Sequence, residues 1–401
     1  MTVDQHSDDP TPDGIRSGVR EFLAEKWVPG QLSDPDWLDV VVRNRWAVPR
    51  WPTDSYGRGL PDSLASIVEE EFDRVGAPGS GQDRFNMHAN TVRVFGSDEL
   101  RASFVRPMLT SEFRMCLLYS EPGAGSDLAS LRTRAVREGD EWVIDGQKVW
   151  TSGAADADYA FLLARTDWNA PKHKGISFFL FPMKQDGIEV RPIKQITGES
   201  EFNEVFITGA RVSDGLRLGE LHGGWKVLQR ALVFERLVMG DRARAGRDND
   251  AMAVTQYSGE EDLIGLARTF ERLEDPVIRD RLATVMAMRT VNKWNSQRAE
   301  AEAAAGVESA VAALGKLSMS GILHESAALR SAIVGAECMA DGRDHPDGDT
   351  ANFLSMNAFM TSIGGGTDQV QRNIIGERVL GLPREEDPTR QLPFSKASMS
   401  R

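Results

Sequence analysis

Two short segments of the chain combine hydroxyl side chains, bare backbone and an aromatic ring. They read LLYSEPGAGSD at residues 117–127 and DGQKVWTSGA at residues 145–154. The glycines of the first segment let a bulky planar or phosphorylated ligand approach the backbone. Trp150 in the second segment adds a rigid aromatic wall with one N–H donor. Four hydroxyls are available to hydrogen-bond a ligand: Ser120, Ser126, Thr151 and Ser152.

A Pro-Gly-Ala-Gly run by itself is typical of a plain turn. In this order and spacing, however, the two segments together resemble the acyl-CoA dehydrogenase family. The resemblance covers most of the chain. Further matching stretches are KGISFFLFPM at 174–183, GWKVLQRALVFERLVMG at 224–240 and GGGTDQVQRNIIGERVLGLP at 364–383.

The resemblance implies a flavoprotein that binds FAD and an acyl-CoA thioester. In the family the first segment lines the flavin and the thioester end of the substrate, and the tryptophan segment packs along the isoalloxazine ring. The match implies flavin contacts from Leu117, Tyr119, Ser120, Ser126, Trp150, Thr151, Ser152, Gly366, Thr367 and Gln369. It implies substrate contacts from Ser126, Val233, Phe234 and Arg236.

Dehydrogenation beside a thioester requires a base for the alpha proton and donors to the thioester oxygen. In much of the family the base is a glutamate just before the Gly-Thr of the C-terminal motif, where this chain has Gly365. The backbone N–H of Gly365 would still donate to the thioester carbonyl. A second base position, used by isovaleryl-CoA dehydrogenase-like members, corresponds here to Glu235. The resemblance therefore assigns Glu235 as the general base.

The surroundings of Glu235 in the sequence support this assignment. Residues 231–239 are otherwise apolar except for Arg236, which predicts a low-dielectric setting and a raised pKa for the carboxyl. The alternative is that Glu235 and Arg236 form a solvated pair on a helix surface.

The implied reaction is oxidation of a saturated acyl-CoA to the trans-2-enoyl-CoA, with an electron-transfer flavoprotein as acceptor and a homotetramer or homodimer as the assembly. The family segments that reach the adenine half of FAD have no match between residues 241 and 342. Two alternatives stay open. One is a flavin-dependent oxidase or monooxygenase on the same fold, and the other is a non-catalytic partner subunit of a hetero-oligomeric dehydrogenase.

Composition narrows the class of protein. The net charge of −13 argues against a nucleic-acid partner, because no basic stripe is available to neutralise phosphates. No apolar run approaches the ~20 residues that span a bilayer. A polar N-terminal stretch and only two cysteines, Cys116 and Cys338, predict a cytoplasmic protein with buried free thiols. The histidines show no metal-ligand spacing, so we predict no metal site.

The elements that must position these residues follow from hydrophobic periodicity. Residues 13–114 show helical spacing, with a helix start at Pro61 and Asp62, and the helical period returns after residue 220. Between them lie short alternating runs broken by Gly, Asp and Pro. The sequence thus predicts an α+β multidomain protein with an N-terminal helical domain (1–114), a central β-barrel (115–220) and a C-terminal helical bundle (221–401). The acyl-CoA dehydrogenase fold has this arrangement.

Overall fold

The computed structural model describes residues 10–245, 262–305, 307, 311–340, 342 and 344–397. The chain divides into two compact units. Unit 1 comprises Met1–Pro192, Phe202–Glu235 and Leu392–Arg401, and unit 2 comprises Ile193–Glu201 and Arg236–Gln391. The bounds of the three domains drawn from the sequence stay a prediction.

Unit 1 begins with six helices. They are α1 (Pro12–Lys26), α2 (Asp34–Arg43), α3 (Asp62–Arg74), α4 (Gln82–Phe85), α5 (Met87–Phe95) and α6 (Asp98–Leu109). Side chains of Thr11, Ser33 and Ser97 accept backbone N–H bonds at the starts of α1, α2 and α6, as N-caps do. Helix α3 begins directly after Pro61, as the sequence predicts.

Eight strands follow in unit 1. They are β1 (Met115–Leu118), β2 (Arg134–Glu138), β3 (Glu141–Ser152), β4 (Tyr159–Arg165), β5 (Ile176–Pro182), β6 (Ile188–Pro192), β7 (Phe202–Ser213) and β8 (Arg217–Leu218). Their order is β6-β7-β3-β2-β4-β5-β8, and β1 pairs in parallel with β4. The predicted closed barrel is therefore wrong, because the sheet is open.

The open form of the sheet reflects how its strands pair. Strand β2 joins the two halves of the sheet through one parallel pair, Arg134 with Arg165. At the two ends, β6 stops at Pro192, which has no N–H to donate, and β8 has only two residues. Neither edge offers a long ladder that could close the sheet.

Strands β4 and β5 are buried on both faces. Phe161 and Phe178 point into the core shared with the N-terminal helices, whereas Leu162 and Phe179 point into a second core between the sheet halves. This follows the two-residue alternation of a strand. A short C-terminal helix, α13 (Phe394–Ala397), also belongs to unit 1.

The helix α7 (Gly224–Ala245) runs from unit 1 into unit 2. Unit 2 continues with α8 (Leu263–Thr269), α9 (Pro276–Ala304), α10 (Gly315–Val334), α11 (Pro346–Ile363) and α12 (Asp368–Ile374). Leu282, Val285, Leu329 and Ile333 form the centre of its described core. Across the residues described, we find no helix with the length and apolarity needed to cross a bilayer.

Candidate functional site

The two segments singled out from the sequence lie side by side in unit 1. The Val149 N–H donates to the Ser120 carbonyl at 3.0 Å, and the Thr151 hydroxyl donates to the Leu117 carbonyl at 3.3 Å. These bonds join the end of β3 to β1 and to the loop after it. The structure thus brings the predicted residues Leu117, Tyr119, Ser120, Thr151 and Ser152 into one region.

Trp150 stands out from this region. The pairing of β3 with β7 shifts between Lys148 and Thr151, where one extra residue on β3 makes a β-bulge. Within the bulge Trp150 has φ +62°, which non-glycine residues rarely adopt, and its side chain is 60% exposed. Its ring meets the Phe202 ring edge-on at 6.0 Å. The bulge therefore presents a large aromatic face to a ligand.

A buried ion pair joins the two segments, and the sequence analysis did not predict it. Lys148 is 0% exposed, and its ammonium donates to Glu121 at 2.9 Å and to the Tyr119 carbonyl at 3.0 Å. Burial raises the pKa of Glu121, but Lys148 and hydrogen bonds from Thr133 and Arg132 together hold that pKa below its ordinary value. The sequence signal was a lysine within a strand, two residues before Trp150, where burial leaves a cation in need of a partner.

The loop after Glu121 is open to solvent. A Cβ added at Gly123 or Gly125 would meet nothing within 4 Å, so a ligand can approach the backbone there. Ser126, the predicted flavin and substrate contact, is exposed. A cavity of about 270 Å³ lies beside this loop, lined by Glu121, Pro122, Gly123, Ser130, Arg132, Thr133, Gly146 and Gln147.

A small apolar cluster adjoins Leu117. Met87 on α5 forms a cluster with Ala231 and Phe234 on α7, and Leu117 packs against this cluster. The Arg230 guanidinium lies over the Phe234 ring at 5.0 Å. Of the predicted substrate contacts, Phe234 is buried in this cluster, and Val233 is 38% exposed.

The predicted base cannot be placed in the same detail. Glu235 and Arg236 belong to α7, but their side chains lie outside the described residues.

In unit 2 the C-terminal motif forms a tight turn. Gly365 and Gly366 have φ values of +63° and +86°, and the Thr367 side chain caps α12 by accepting the Val370 N–H. Gln369 is exposed, whereas the next glutamine, Gln371, is buried and donates to the Gly365 carbonyl at 3.1 Å. The turn is thus held from within its own unit.

A polar network supports the same turn. Asp368 accepts hydrogen bonds from Lys316 at 3.2 Å and Ser320 at 2.8 Å. Ser362 bonds to Ser320 and to His324. The sequence analysis did not predict this role of Lys316.

The described cysteines and histidines give no competing site. Burial raises the pKa of the Cys116 thiol to about 12 and lowers the pKa of His88 to about 4, so both groups are neutral near pH 7. Cys116 is a buried free thiol, as predicted, whereas the free thiol of Cys338 is partly exposed. Within the described part of the chain, no group of three His, Cys, Asp or Glu residues could hold a metal ion.

Comparison with known proteins decides the family. Residues 116–210 match the model of the acyl-CoA dehydrogenase middle domain, and residues 222–380 match that of the C-terminal domain. The chain is 37% identical over 351 residues to "Acyl-CoA dehydrogenase IpdE1" of Mycobacterium tuberculosis (strain ATCC 25618 / H37Rv), with 84% of each chain covered. The chain belongs to the acyl-CoA dehydrogenase family. These matches confirm the resemblance seen in the sequence. The protein is therefore an enzyme of the oxidoreductase class.

Solved acyl-CoA dehydrogenase structures agree. The "Tcur3481-Tcur3483 steroid ACAD" is 28% identical with a TM-score of 0.71, over 94% of this chain and 99% of that one. The ChsE4-ChsE5 complex from Mycobacterium tuberculosis is 28% identical with a TM-score of 0.66, over 95% of this chain and 100% of that one. Each of these two structures is named for two chains, Tcur3481 with Tcur3483 and ChsE4 with ChsE5.

Members of the acyl-CoA dehydrogenase family are flavoproteins that use FAD, and the residues present fit that cofactor. Trp150 offers an exposed ring, Ser120 and Ser152 supply hydroxyls beside it, and the glycine loop leaves its backbone accessible.

Proposed function

We propose that the chain catalyses FAD-dependent dehydrogenation of an acyl-CoA thioester to the trans-2-enoyl-CoA. The observation that carries the proposal is the exposed Trp150, held on a bulge of β3 and joined through Thr151 to Leu117, which borders the apolar cluster. An aromatic face and an apolar surface are what a flavin and an acyl chain require.

The flavin would be held by Leu117, Tyr119, Ser120, Ser126, Trp150, Thr151 and Ser152, and the match of the C-terminal motif adds Gly366, Thr367 and Gln369 as proposed contacts. When bound, FAD would supply the acceptor for the hydride that leaves the beta carbon. The chain itself supplies the groups that bind the thioester and take the proton.

We assign the general base to Glu235. Its carboxylate would take the proton from the alpha carbon, while the Gly365 N–H donates to the thioester oxygen where negative charge develops. The match of the segment ALVFERLVMG to the second base position of the family supports the assignment. Val233, Phe234, Arg236 and Ser126 would bind the substrate.

The substrate class is proposed from relatives. A steroid ACAD shares the fold at 28% identity, so we propose a ringed acyl group as the preferred substrate. An electron-transfer flavoprotein is the proposed acceptor. A homotetramer or homodimer is the proposed assembly, and the two-chain complexes among the relatives support a hetero-oligomer as the second candidate.

The decisive test is Glu235→Gln with flavin bleaching by acyl-CoA in stopped flow. We expect reduction to slow by about a hundredfold or more, the scale for loss of a positioned base, with the fold and the flavin colour kept. Glu220→Gln, the same change at an exposed position before α7, is the control and should bleach normally. Undiminished bleaching in Glu235→Gln would place the base elsewhere.

A second variant tests the alternative base position. Adding Gly365→Glu to Glu235→Gln should restore part of the activity. The rescue should be incomplete because φ at residue 365 is +63°, where a side chain costs on the order of 1 kcal/mol or more.

The same preparations separate the rival functions. Hydrogen peroxide formed with a free acid or an amine would favour the oxidase. A colourless protein that cannot be reconstituted with FAD would favour the non-catalytic subunit.

A further inference from the structure

The ion pair between Glu121 and Lys148 joins the two segments proposed to contact the flavin. Lys148 lies two residues before Trp150, and Glu121 directly follows Ser120. The single Lys148 ammonium reaches both the Glu121 carboxylate and the Tyr119 carbonyl, and it is 0% exposed. One buried side chain therefore holds the end of β1 against β3.

Glu121 extends this attachment to β2. Its two carboxylate oxygens accept the Thr133 N–H at 2.8 Å, the Thr133 hydroxyl at 2.6 Å and the Arg132 N–H at 2.6 Å. Residues 122–131 are thus closed into a loop whose two ends are joined at one carboxylate. That loop contains the exposed Ser126 and the open glycines.

The pair lies beside an irregularity in the pairing of β3 with β7. After Lys148 the pairing with β7 shifts, so Trp150 lies in a bulge rather than in a continuous ladder. Around the bulge, the β1 side of β3 is held by the Lys148 bonds, the Val149 N–H bond to Ser120 and the Thr151 hydroxyl bond to Leu117. On the β7 side, Asn203 donates to the Thr151 carbonyl at 2.9 Å and Phe202 meets the Trp150 ring. The position of the Trp150 ring therefore depends on the β1 side of β3 as well as on Phe202.

We propose that Glu121 and Lys148 are positioning residues that hold Trp150 and the Ser120 loop in the geometry that binds the flavin. The proposal rests on the proposed function, since it concerns FAD. A purely structural pair would stabilise the fold without any particular effect on the cofactor.

The test compares two ion clusters in unit 1. Glu71 is also buried and bonds to Arg16, Arg20 and Arg74, but its partners lie on α1 and α3. Glu71→Gln is the matched control for Glu121→Gln. The double variant Glu121→Gln/Lys148→Met is added because it leaves no buried charge unpaired and so keeps the fold.

Two measurements are made on each purified protein: FAD affinity by titration of the apoprotein, and amide hydrogen exchange without FAD. We expect Glu121→Gln and the double variant to weaken FAD binding at least tenfold and to blur the vibronic structure of the bound flavin spectrum. Exchange should rise in residues 119–133 and 147–152. Glu71→Gln should change FAD affinity less than threefold at a similar loss of melting temperature.

Wild-type FAD affinity in the double variant would overturn the proposal, and so would an equal loss of affinity in Glu71→Gln. Failure of the wild-type protein to bind FAD would instead overturn the proposed function. The exchange measurement then still reports whether the pair orders the two segments.

Discussion

Trp150 combines a strained backbone conformation with an exposed side chain. A tryptophan at φ +62° is strained, and strain of this kind is of order 1–3 kcal/mol. Burial of the ring offsets little of this strain energy, since the side chain is 60% exposed and its ring makes an edge-on contact with Phe202. Backbone strain that is not offset by contacts in the apoprotein is typical of a ligand site.

The strain at Trp150 predicts opposite effects of Trp150→Gly on FAD binding and on stability. Glycine tolerates positive φ, so the free energy of unfolding of the apoprotein should stay within about 1 kcal/mol of wild type or rise. FAD affinity should fall about tenfold or more, because the aromatic face is lost. Urea unfolding and FAD titration measure the two effects.

Trp142→Ala is the contrasting variant. Trp142 is 4% exposed and donates to Asp214 at 2.8 Å, so its loss should cost about 3–5 kcal/mol of stability. A comparable loss in Trp150→Gly would contradict the view of Trp150 as a ligand-facing residue.

At the scale of elements, helices α1 and α3 are joined through Glu71. Arg16 and Arg20 reach it from α1, and Arg74 reaches it from α3 itself. The Arg20 hydrogen bond, with those of Arg74 and Arg16, lowers the pKa of Glu71 to about 2 against the opposing effect of burial. The same carboxylate that joins the helices thus stays ionised in mild acid.

The sign of the pH dependence follows. Because the folded pKa is depressed, the stabilisation by Glu71 is fully present above its unfolded pKa near 4.5 and is lost as the pH falls toward 2. We expect the difference in unfolding free energy between wild type and Glu71→Gln to be constant from pH 7 to about 5 and to shrink below that. Urea unfolding at pH 7, 5 and 3 checks this, and a difference that grows in acid would contradict it.

At the scale of the whole molecule, unit 2 leaves large apolar side chains in solvent. Trp294, Met286, Phe359 and Ile363 are each at least 50% exposed in the single chain. Exposed apolar groups of this size favour association. The proposed assembly gives them a partner.

The purified chain should therefore have a mass of two or four times 44.2 kDa by light scattering. Phe359→Lys, on the exposed side of α11, should lower that mass. Lys293→Ala, which replaces the exposed polar residue next to Trp294, serves as the control. A monomer that assembles only after co-expression with a second dehydrogenase chain would favour the hetero-oligomer.

Much about this protein is determined by local sequence. Helical and strand periods, the Pro61 helix start and the two site segments depend on residues close together in the chain, and they suffice to recognise the family. The glycine at position 365 is likewise read directly from the motif, and the turn at φ +63° shows why glycine suits it.

Other features were decided only by tertiary structure. Lys148 and Glu121 are 27 residues apart, and nothing in a local pattern pairs them. The bulge that exposes Trp150 comes from the register of β3 on β7, and the sheet is open because its edge strands β6 and β8 do not pair with each other. Register and burial depend on distant strands meeting, so the sequence alone predicted a closed barrel where the chain forms an open sheet.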